Sequence, residues 1–392
     1  MGDPWLWATA AALAIWLYLI FGRAGFWRAD VRLARETPAP PAWPEVVAIV
    51  PARNEADVVG NSLAGLFAQD YPGRLSVILV DDASTDGTAE AARAAAAARA
   101  HSDIAFEVVT GSGPEPGRTG KLWALEQGLR RAEVWAPEAR FLWFSDADVF
   151  HGPDTLRRLV AKGMCESRDL VSLMVRLHCE GLWERLLIPA FVFFFQMLYP
   201  FAATADPNSR IAGAAGGCLL VRRAALARAG GLARFRGDLI DDCALAAAVK
   251  RAGGRLWLGL GEDSRSLRPY GGFKGIWALI IRGAYSQLRF SPWLLIGTVF
   301  GMVVTYVVPP LAVGAGALVS WGAAPSLGLV VWGLMSMSYR PTLAYYRQPW
   351  YMTPLLPLIA MIYMLATLDS ARRYWQGRGA VWKGRHYGPQ TD

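Results

Sequence analysis

The chain has 392 residues, of which 54% are hydrophobic and 18% are charged. A soluble domain usually carries charge on about a quarter of its residues, so this composition indicates a soluble domain joined to bilayer-embedded segments. The formal charge of +8 then favours lipid headgroups and phosphates as partners rather than nucleic acid. The four cysteines form no C-x-x-C pair, which argues against a structural zinc site and favours free thiols.

An apolar run at residues 5–21 has about the length of a membrane-spanning helix. A signal peptide would begin with basic residues, whereas here Asp3 precedes the run and several arginines follow it. By the positive-inside rule, the residues after the run face the cytoplasm. We therefore predict an N-terminal transmembrane anchor over 1–25 and a short, proline-rich linker over 26–44.

Residues 45–272 alternate short apolar runs with helical patterns, such as those at 59–67 and in the alanine-rich stretch 88–100. This alternation predicts an α/β domain with a mostly parallel sheet and helices on both faces. Ligands of such sheets bind at the carboxyl ends of the strands. The runs predicted as strands are Val46–Val50, Leu75–Val80, Ala105–Val109 and Phe141–Phe144.

Hydrophobic residues return at 186–203, between two acidic motifs. A single crossing there would place those motifs on opposite sides of the membrane, so we expect an interfacial or re-entrant segment. The stretch 273–291 mixes aromatic and basic residues, which is typical of an interfacial helix.

The region 292–371 contains three apolar blocks, at 293–318, 325–345 and 351–369. Three crossings would leave the basic tail, 372–392, outside, against the positive-inside rule. We therefore expect Pro309-Pro310 to split the first block into a re-entrant pair and the tail to be cytoplasmic. These expectations describe a multi-pass protein of a cytoplasmic membrane.

Acidic residues follow two of the predicted strands. Asp81-Asp82 ends the second strand, and Asp146-Ala147-Asp148 comes just after the fourth. Two carboxylates two residues apart at a strand end can share a hard divalent cation, which also binds a diphosphate. An acidic surface turn is the simpler interpretation of either motif alone, but the combination favours a metal site.

Two further turns have the composition of ligand-binding loops. The turn Pro51-Ala52-Arg53-Asn54-Glu55 ends the first strand and could hold a base and a ribose. The loop Gly111–Gly120 leads into Lys121 at a helix start, where backbone N–H groups and a lysine suit a phosphate. The loop is no P-loop, and a G-x-G-x-x-G sequence is missing after the first strand, which argues against a dinucleotide oxidoreductase.

A third acidic motif, Asp241-Asp242, precedes a predicted helix at 243–251. A carboxylate at a helix start is often only an N-cap. Together with the metal-type motif, however, Asp242 is a candidate general base, with Asp238 and Asp241 as alternatives.

This ordered set of motifs resembles glycosyltransferase family 2, whose members have the GT-A fold. Longer blocks resemble the hopene-associated, HpnB-type glycosyltransferases of bacterial hopanoid biosynthesis. These blocks are residues 119–125, 169–180, 184–201, 214–223 and 239–260.

The resemblance implies a role for each motif. The turn with Pro51, Ala52, Arg53 and Glu55 would bind the nucleotide-sugar, as would Asp82 and Lys121. Asp146 and Asp148 would hold its diphosphate through Mg²⁺ or Mn²⁺, and Asp242 would be the catalytic base. Related membrane enzymes carry Q-x-x-R-W, whereas this chain has Gln287-Leu288-Arg289-Phe290, so the donor contacts of Gln287 and Arg289 rest on a shortened motif.

We therefore expect an inverting, metal-dependent transfer of a sugar, with a UDP-sugar as the first candidate donor, to a lipid hydroxyl, a hopanoid by resemblance. A ceramide- or polyprenyl-phosphate-directed transferase is the alternative within the same class. A non-catalytic membrane scaffold is the alternative from another class. Such a protein has no reason to retain all four candidate site aspartates, namely Asp82, Asp146, Asp148 and Asp242.

Overall fold

The structure is a computed structural model that describes residues 3–99, 103–115, 118–235, 241–319, 321–383 and 385–387. The chain forms two compact units. The sheet unit comprises Asp30–His178 and Phe201–Arg268, and the helical unit comprises Met1–Ala29, Cys179–Pro200 and Pro269–Asp392. The predicted segment Gly237–Ile240, with Asp238, lies outside the described residues, as does the side chain of Asp241.

The strands are β1 Val46–Ala52, β2 Leu75–Asp81, β3 Ala105–Thr110, β4 Phe141–Ser145, β5 Val149–His151, β6 Leu170–Arg176, β7 Cys218–Arg222, β8 Leu256–Ser266, β9 Ala380–Trp382 and β10 Arg385–Tyr387. The α-helices are α1 Pro4–Leu17, α2 Val59–Phe67, α3 Thr88–Ala97, α4 Gly120–Trp135, α5 Thr155–Cys165, α6 Leu182–Leu198, α7 Phe201–Ala205, α8 Arg223–Arg228, α9 Asp241–Arg251, α10 Phe273–Gln287, α11 Pro292–Met302, α12 Val308–Leu318, α13 Ala323–Tyr345 and α14 Leu356–Trp375.

Eight of the described strands form one sheet in the order β3-β2-β1-β4-β7-β6-β8-β5. The four strands predicted from the sequence are its parallel half, β3-β2-β1-β4. Strand β7 runs antiparallel to both β4 and β6, whereas β6 and β8 are parallel. The sheet is thus mostly parallel, as expected for the GT-A fold.

Apolar side chains on both faces of the sheet explain why β1 and β2 are uninterrupted buried runs. Alternate residues enter different cores because successive strand residues point to opposite faces. Val47 and Ile49 pack with residues of α4, α8 and α9, whereas Val46 and Ala48 pack with residues of α2 and α5. Helices therefore cover both faces, as the alternating pattern predicted.

Three described helical segments are long and apolar enough to cross a membrane, judged by length and composition: Pro4–Gly22, Pro292–Leu318 and Trp350–Trp375. The first begins at an N-cap, because Asp3 Oδ1 accepts from the Trp5 N–H at 2.9 Å. The second begins in the same way at Ser291, with Pro292 in the first turn. Helix α13, expected as a further span, is not among these segments.

The expected re-entrant break at Pro309-Pro310 is wrong, because the segment Pro292–Leu318 is helical throughout. A π-helical turn, Val303–Val307, precedes the two prolines, which occupy the first turn of α12. A proline in a first turn removes an N–H that has no partner within its helix, and the wider π turn absorbs the change. The chain therefore continues in one direction past the prolines.

The interfacial segment expected at 186–203 is helix α6 followed by the short α7. Helix α6 is tied into the helical unit by Glu184, whose buried carboxylate accepts from the N–H groups of Glu180, Gly181 and Tyr270 at 2.8 to 3.0 Å. Near its middle, the Leu187 carbonyl accepts from the Tyr363 hydroxyl at 2.8 Å. Helix α6 thus packs within the helical unit, whereas α7 belongs to the sheet unit.

Gly128 of α4 lies close against the sheet, since an added Cβ would lie 2.5 Å from Ile49 Cγ2 and 3.0 Å from Val80 Cγ2. Gly128→Ala should therefore lower the stability of the protein, because overpacking costs about 1–3 kcal/mol. Gly60→Ala is the matched control, since its Cβ would meet only Ala95 at 4.0 Å. It should raise stability by up to ~1 kcal/mol, the helix propensity difference. Thermal unfolding of the full chain in detergent measures both, and equal melting temperatures would contradict this packing.

Candidate active site

Three parallel strands end at one edge of the sheet and bring the predicted loops together. Ala52 at the end of β1 is level with Asp81 at the end of β2. Strand β4, on the other side of β1, ends at Ser145, directly before Asp146. The first-strand turn, Asp81-Asp82 and the Asp146–Asp148 loop therefore leave the sheet at the same edge, which is where the fold places ligands.

The first two of these loops brace each other. Arg53 Nη1 donates to the carbonyls of Asp82 and Ala83 at 2.5 and 3.0 Å. Asn54 adds two contacts, because its N–H donates to Ser84 Oγ at 3.0 Å and its Oδ1 accepts from the Thr85 N–H at 2.9 Å. Asp82 itself is fully buried behind them. These contacts fix the shape of the edge at which the β1 and β2 loops meet.

Negative charge is crowded in the Asp146–Asp148 loop. Asp148 is half-buried, and this burial raises its pKa to about 6, with further upward contributions from the charges of Asp146 and Glu55. The hydroxyl of Ser266, 3.2 Å from Asp148 Oδ2, and the charge of Arg268 both act to lower this pKa. Asp146 pairs with Lys121, whose Nζ lies 2.5 Å from its Oδ1. A divalent cation at this loop would relieve the same repulsion, and carboxylate oxygens are the donors that Mg²⁺ and Mn²⁺ prefer.

Lys121 reaches Asp146 because it stands in the first turn of α4, directly after the glycine- and proline-rich loop. Two contacts hold that loop on the helix: Trp123 Nε1 donates to the Ser112 carbonyl at 2.9 Å, and the Ser112 N–H donates to Gln127 Oε1 at 2.9 Å. The lysine was predicted as a phosphate ligand, and its ammonium group is at the strand edge that such a ligand would occupy.

Asp242 is at the start of α9 and is oriented by two main-chain donors. Its Oδ2 accepts from the Gly216 N–H and its Oδ1 from the Cys243 N–H, both at 2.7 Å. A Cβ added at Gly216 would lie 3.3 Å from Asp242 Oδ2 and 3.1 Å from Lys121 Nζ. The absence of a side chain at Gly216 thus lets the carboxylate and the ammonium group approach the same point.

These groups line one pocket, which holds about 390 Å³ of empty space and opens to solvent. Four of the predicted site residues contribute to its wall, namely Pro51, Lys121, Asp146 and Asp242. The remaining wall is Leu122, Leu125, Phe144, Ser145, Gly216, Leu219, Leu232 and Leu245. An ammonium group and two carboxylates are therefore combined with a largely apolar wall in a single cavity.

The structure does not bring all the predicted residues into this pocket. Glu55 forms an ion pair with Arg268 beside the edge. Gln287 and Arg289 belong to the helical unit, where Gln287 Nε2 donates to the Tyr199 hydroxyl at 2.5 Å and Arg289 has a φ of +52° just after α10. Their role as donor contacts stays a prediction.

Sequence reasoning missed a set of polar residues at the end of β8. Ser264, Ser266 and Arg268 are spaced two apart, and their partners are His151, Asp148 and Glu55 respectively. A spacing of two places side chains on one face of an extended chain. That alternation is visible in the sequence and could have identified β8 as part of the site.

Comparison with known proteins agrees with this geometry. Residues 47–230 match the model of glycosyl transferase family 2. An N-acetylglucosaminyltransferase of Mesorhizobium japonicum is 28% identical over 167 residues, which are 40% of this chain and 36% of that protein. This chain therefore matches only about a third of the length of that relative.

Among solved structures, a mannosyltransferase of Pyrobaculum calidifontis, in complex with GDP-mannose and Mn²⁺, is similar at 23% identity with a TM-score of 0.60. The similarity covers 94% of this chain and 99% of that one. The sheet unit thus has a GT-A-like fold, and residues 47–230 are similar to family 2 glycosyltransferases.

Gly216→Ala tests whether the pocket depends on the open space between Lys121 and Asp242. The added methyl group would displace one or both side chains by a few tenths of an ångström or more. We expect kcat/KM for a reaction in this pocket to fall by up to about 10²-fold, the cost of a small misplacement of reacting groups. Thermal unfolding should change little, and Gly60→Ala serves as the active control. Wild-type kinetics in Gly216→Ala would exclude this point of the cavity from the reaction.

Proposed function

We propose that this protein transfers a sugar from a nucleoside-diphosphate sugar to the hydroxyl group of a membrane lipid, with inversion at the anomeric carbon. The observation that carries the proposal is the single pocket lined by Lys121, Asp146 and Asp242 at the carboxyl edge of the sheet. The pocket combines groups suited to binding a diphosphate with a carboxylate that can act as a proton acceptor. The family 2 match supports the reaction class.

The donor would bind across the strand ends. The braced turn at Pro51–Glu55, with Asp82 behind it, would hold the nucleotide, and Lys121 would hold the diphosphate. Asp146 and Asp148 would bind Mg²⁺ or Mn²⁺, which supplies positive charge to the diphosphate when bound. Among the described residues no cluster of three or more metal-type ligands occurs, and two carboxylates with substrate phosphates suffice for such ions. The archaeal mannosyltransferase complex with GDP-mannose and Mn²⁺ supports this arrangement.

Asp242 would act as the general base. As the lipid oxygen forms its bond to the anomeric carbon, the hydroxyl proton moves to the Asp242 carboxylate, and the bond from that carbon to the diphosphate oxygen breaks. Each carboxylate oxygen can accept two hydrogen bonds, so contacts to Gly216 and Cys243 are compatible with this role. Lys121 stabilises the negative charge that develops on the leaving diphosphate.

A lipid acceptor is supported by the three helical segments suited to a membrane. We propose that it enters along α6 and α10, whose rings of Trp183 and Phe273 lie 4.8 Å apart within the helical unit. The sequence blocks described above favour a hopanoid, with ceramide and polyprenyl phosphate as alternatives.

Purified protein incubated with UDP- and GDP-sugars and each lipid class, followed by mass analysis of products, decides among these acceptors. Absence of metal-dependent donor hydrolysis and of every product would favour the scaffold alternative.

The metal proposal predicts that Asp148→Ala abolishes transfer and weakens nucleotide binding, because it removes one of two ligands for the cation. Asp70→Ala is the matched control, since Asp70 is exposed and pairs only at the surface with Arg157, 3.3 Å away. Nucleotide binding is measured by calorimetry with and without Mn²⁺. Full activity of the Asp148 variant, or of EDTA-treated wild type, would show that the cation is not required.

The base proposal predicts that Asp242→Asn lowers kcat by roughly two to four orders of magnitude. Donor affinity should change little, because other residues hold the diphosphate. An amide has one oxygen, so the variant also gives up one of the two main-chain hydrogen bonds, and its melting temperature must be compared with wild type. Asp241→Asn should be milder. If Asp242 is only a helix cap, Asn replaces it well and activity survives.

We also propose that the sheet unit faces the cytoplasm of a bacterium, where nucleotide-sugars are made, and that the basic tail does too. A single cysteine in place of Glu115, in a variant without the four native cysteines, should react with a membrane-impermeant thiol reagent only in inverted vesicles. Labelling at this position in intact cells would show that the sheet unit faces the outside instead.

A further inference from the structure

The loop that carries Asp146 and Asp148 is anchored at both ends by strands of the sheet. Strand β5 begins directly after Asp148, and its Val149 pairs with Ser266 of β8. The other end, Ser145, belongs to β4 and is hydrogen-bonded to a residue of β5, His151. The three loop residues 146–148 are therefore held between two fixed strands, and His151 is the side chain that joins β4 to β8.

His151 is fully buried and has a hydroxyl group at each ring nitrogen. Its Nε2 lies 2.9 Å from Ser145 Oγ, and its Nδ1 lies 2.9 Å from Ser264 Oγ. The ring packs on Trp143, with centroids 4.7 Å apart. Burial lowers the pKa of His151 to about 3, so the ring is neutral at physiological pH and carries one N–H.

The neighbours of Ser145 determine which nitrogen carries that hydrogen. Ser145 has a single hydroxyl proton, and its Oγ lies 3.2 Å from the Asp146 carbonyl, which can only accept. The hydroxyl therefore donates to Asp146 and must accept from His151. The N–H is then on Nε2, while Nδ1 accepts from the Ser264 hydroxyl.

We propose that His151, as the Nε2–H tautomer, is a positioning residue for the Asp146–Asp148 pair. Its Nε2–H donates to the Ser145 hydroxyl, which in turn donates to the main-chain carbonyl of Asp146 at the start of the loop. The inference rests on the proposed function, in which this pair binds a divalent cation together with a nucleoside diphosphate. Residues that hydrogen-bond metal ligands set the ligand orientation, and their loss typically weakens metal affinity by 10–100-fold. His151 acts one hydrogen bond further out, through Ser145.

Two variants separate this role from simple core packing. In His151→Gln, the amide reaches the position of Nε2 and can still donate to Ser145. In His151→Asn, the shorter amide reaches the position of Nδ1 and keeps only the Ser264 contact. Both variants remove the ring from Trp143 and bury one amide, so a purely structural role predicts similar losses in both.

The measurement is Mn²⁺ affinity of the full chain in detergent, from the electron paramagnetic resonance signal of free Mn²⁺, with UDP or GDP present. We expect affinity to fall about tenfold or more in His151→Asn and to stay within about threefold of wild type in His151→Gln. Equal affinities in the two variants would overturn the inference. If wild type binds no Mn²⁺ with either nucleotide, the metal of the proposed function fails and the inference with it.

A second measurement does not depend on the metal. Nitrogen-15 NMR of histidine-labelled, metal-free wild type distinguishes the two ring tautomers. An Nε2–H signal for His151 supports the inference, with His151→Gln or Ser145→Ala used to assign it. An Nδ1–H tautomer would overturn the inference and leave the proposed function untouched.

Discussion

Negative charge gathered at one edge of the sheet is the constraint around which the sheet unit is organised. The parallel strands β1 and β4 deliver Glu55, Asp146 and Asp148 to the same edge, and their repulsion, together with burial, raises the pKa of Asp148 to about 6. Lys121 at the start of α4 and Arg268 after β8 supply the opposing charge. Helix α4 and the residue after β8 thus each bring one positive charge to this edge.

The proposed chemistry uses the same imbalance. Two crowded carboxylates suit a cation, whereas Asp242 has a different environment, in which two main-chain N–H groups donate to its oxygens. Carboxyl groups in contrasting environments can take contrasting roles in one site. Cation binding and proton acceptance are accordingly assigned to different aspartates, and Lys121 lies between them.

Much of this arrangement was predictable from the sequence. The four apolar runs became the parallel half of the sheet because their burial on both faces leaves a continuous hydrophobic signal. The role of Gly216 was not predictable, since it depends on the approach of Lys121 and Asp242, which are distant in sequence. The break at Pro309-Pro310 was wrongly expected, because a π-helical turn absorbs it. The polar residues Ser264, Ser266 and Arg268 were visible but overlooked at the end of a strand that begins as an apolar run.

The central claim is that one pocket holds the donor diphosphate and the base. A structure of the full chain with an unreactive nucleotide-sugar and Mn²⁺ tests it most directly. The account predicts the cation between the Asp146–Asp148 loop and the diphosphate, Lys121 on the phosphates, and the anomeric carbon facing Asp242. A nucleotide bound away from the ends of β1 and β4, or an anomeric carbon turned away from Asp242, would contradict it.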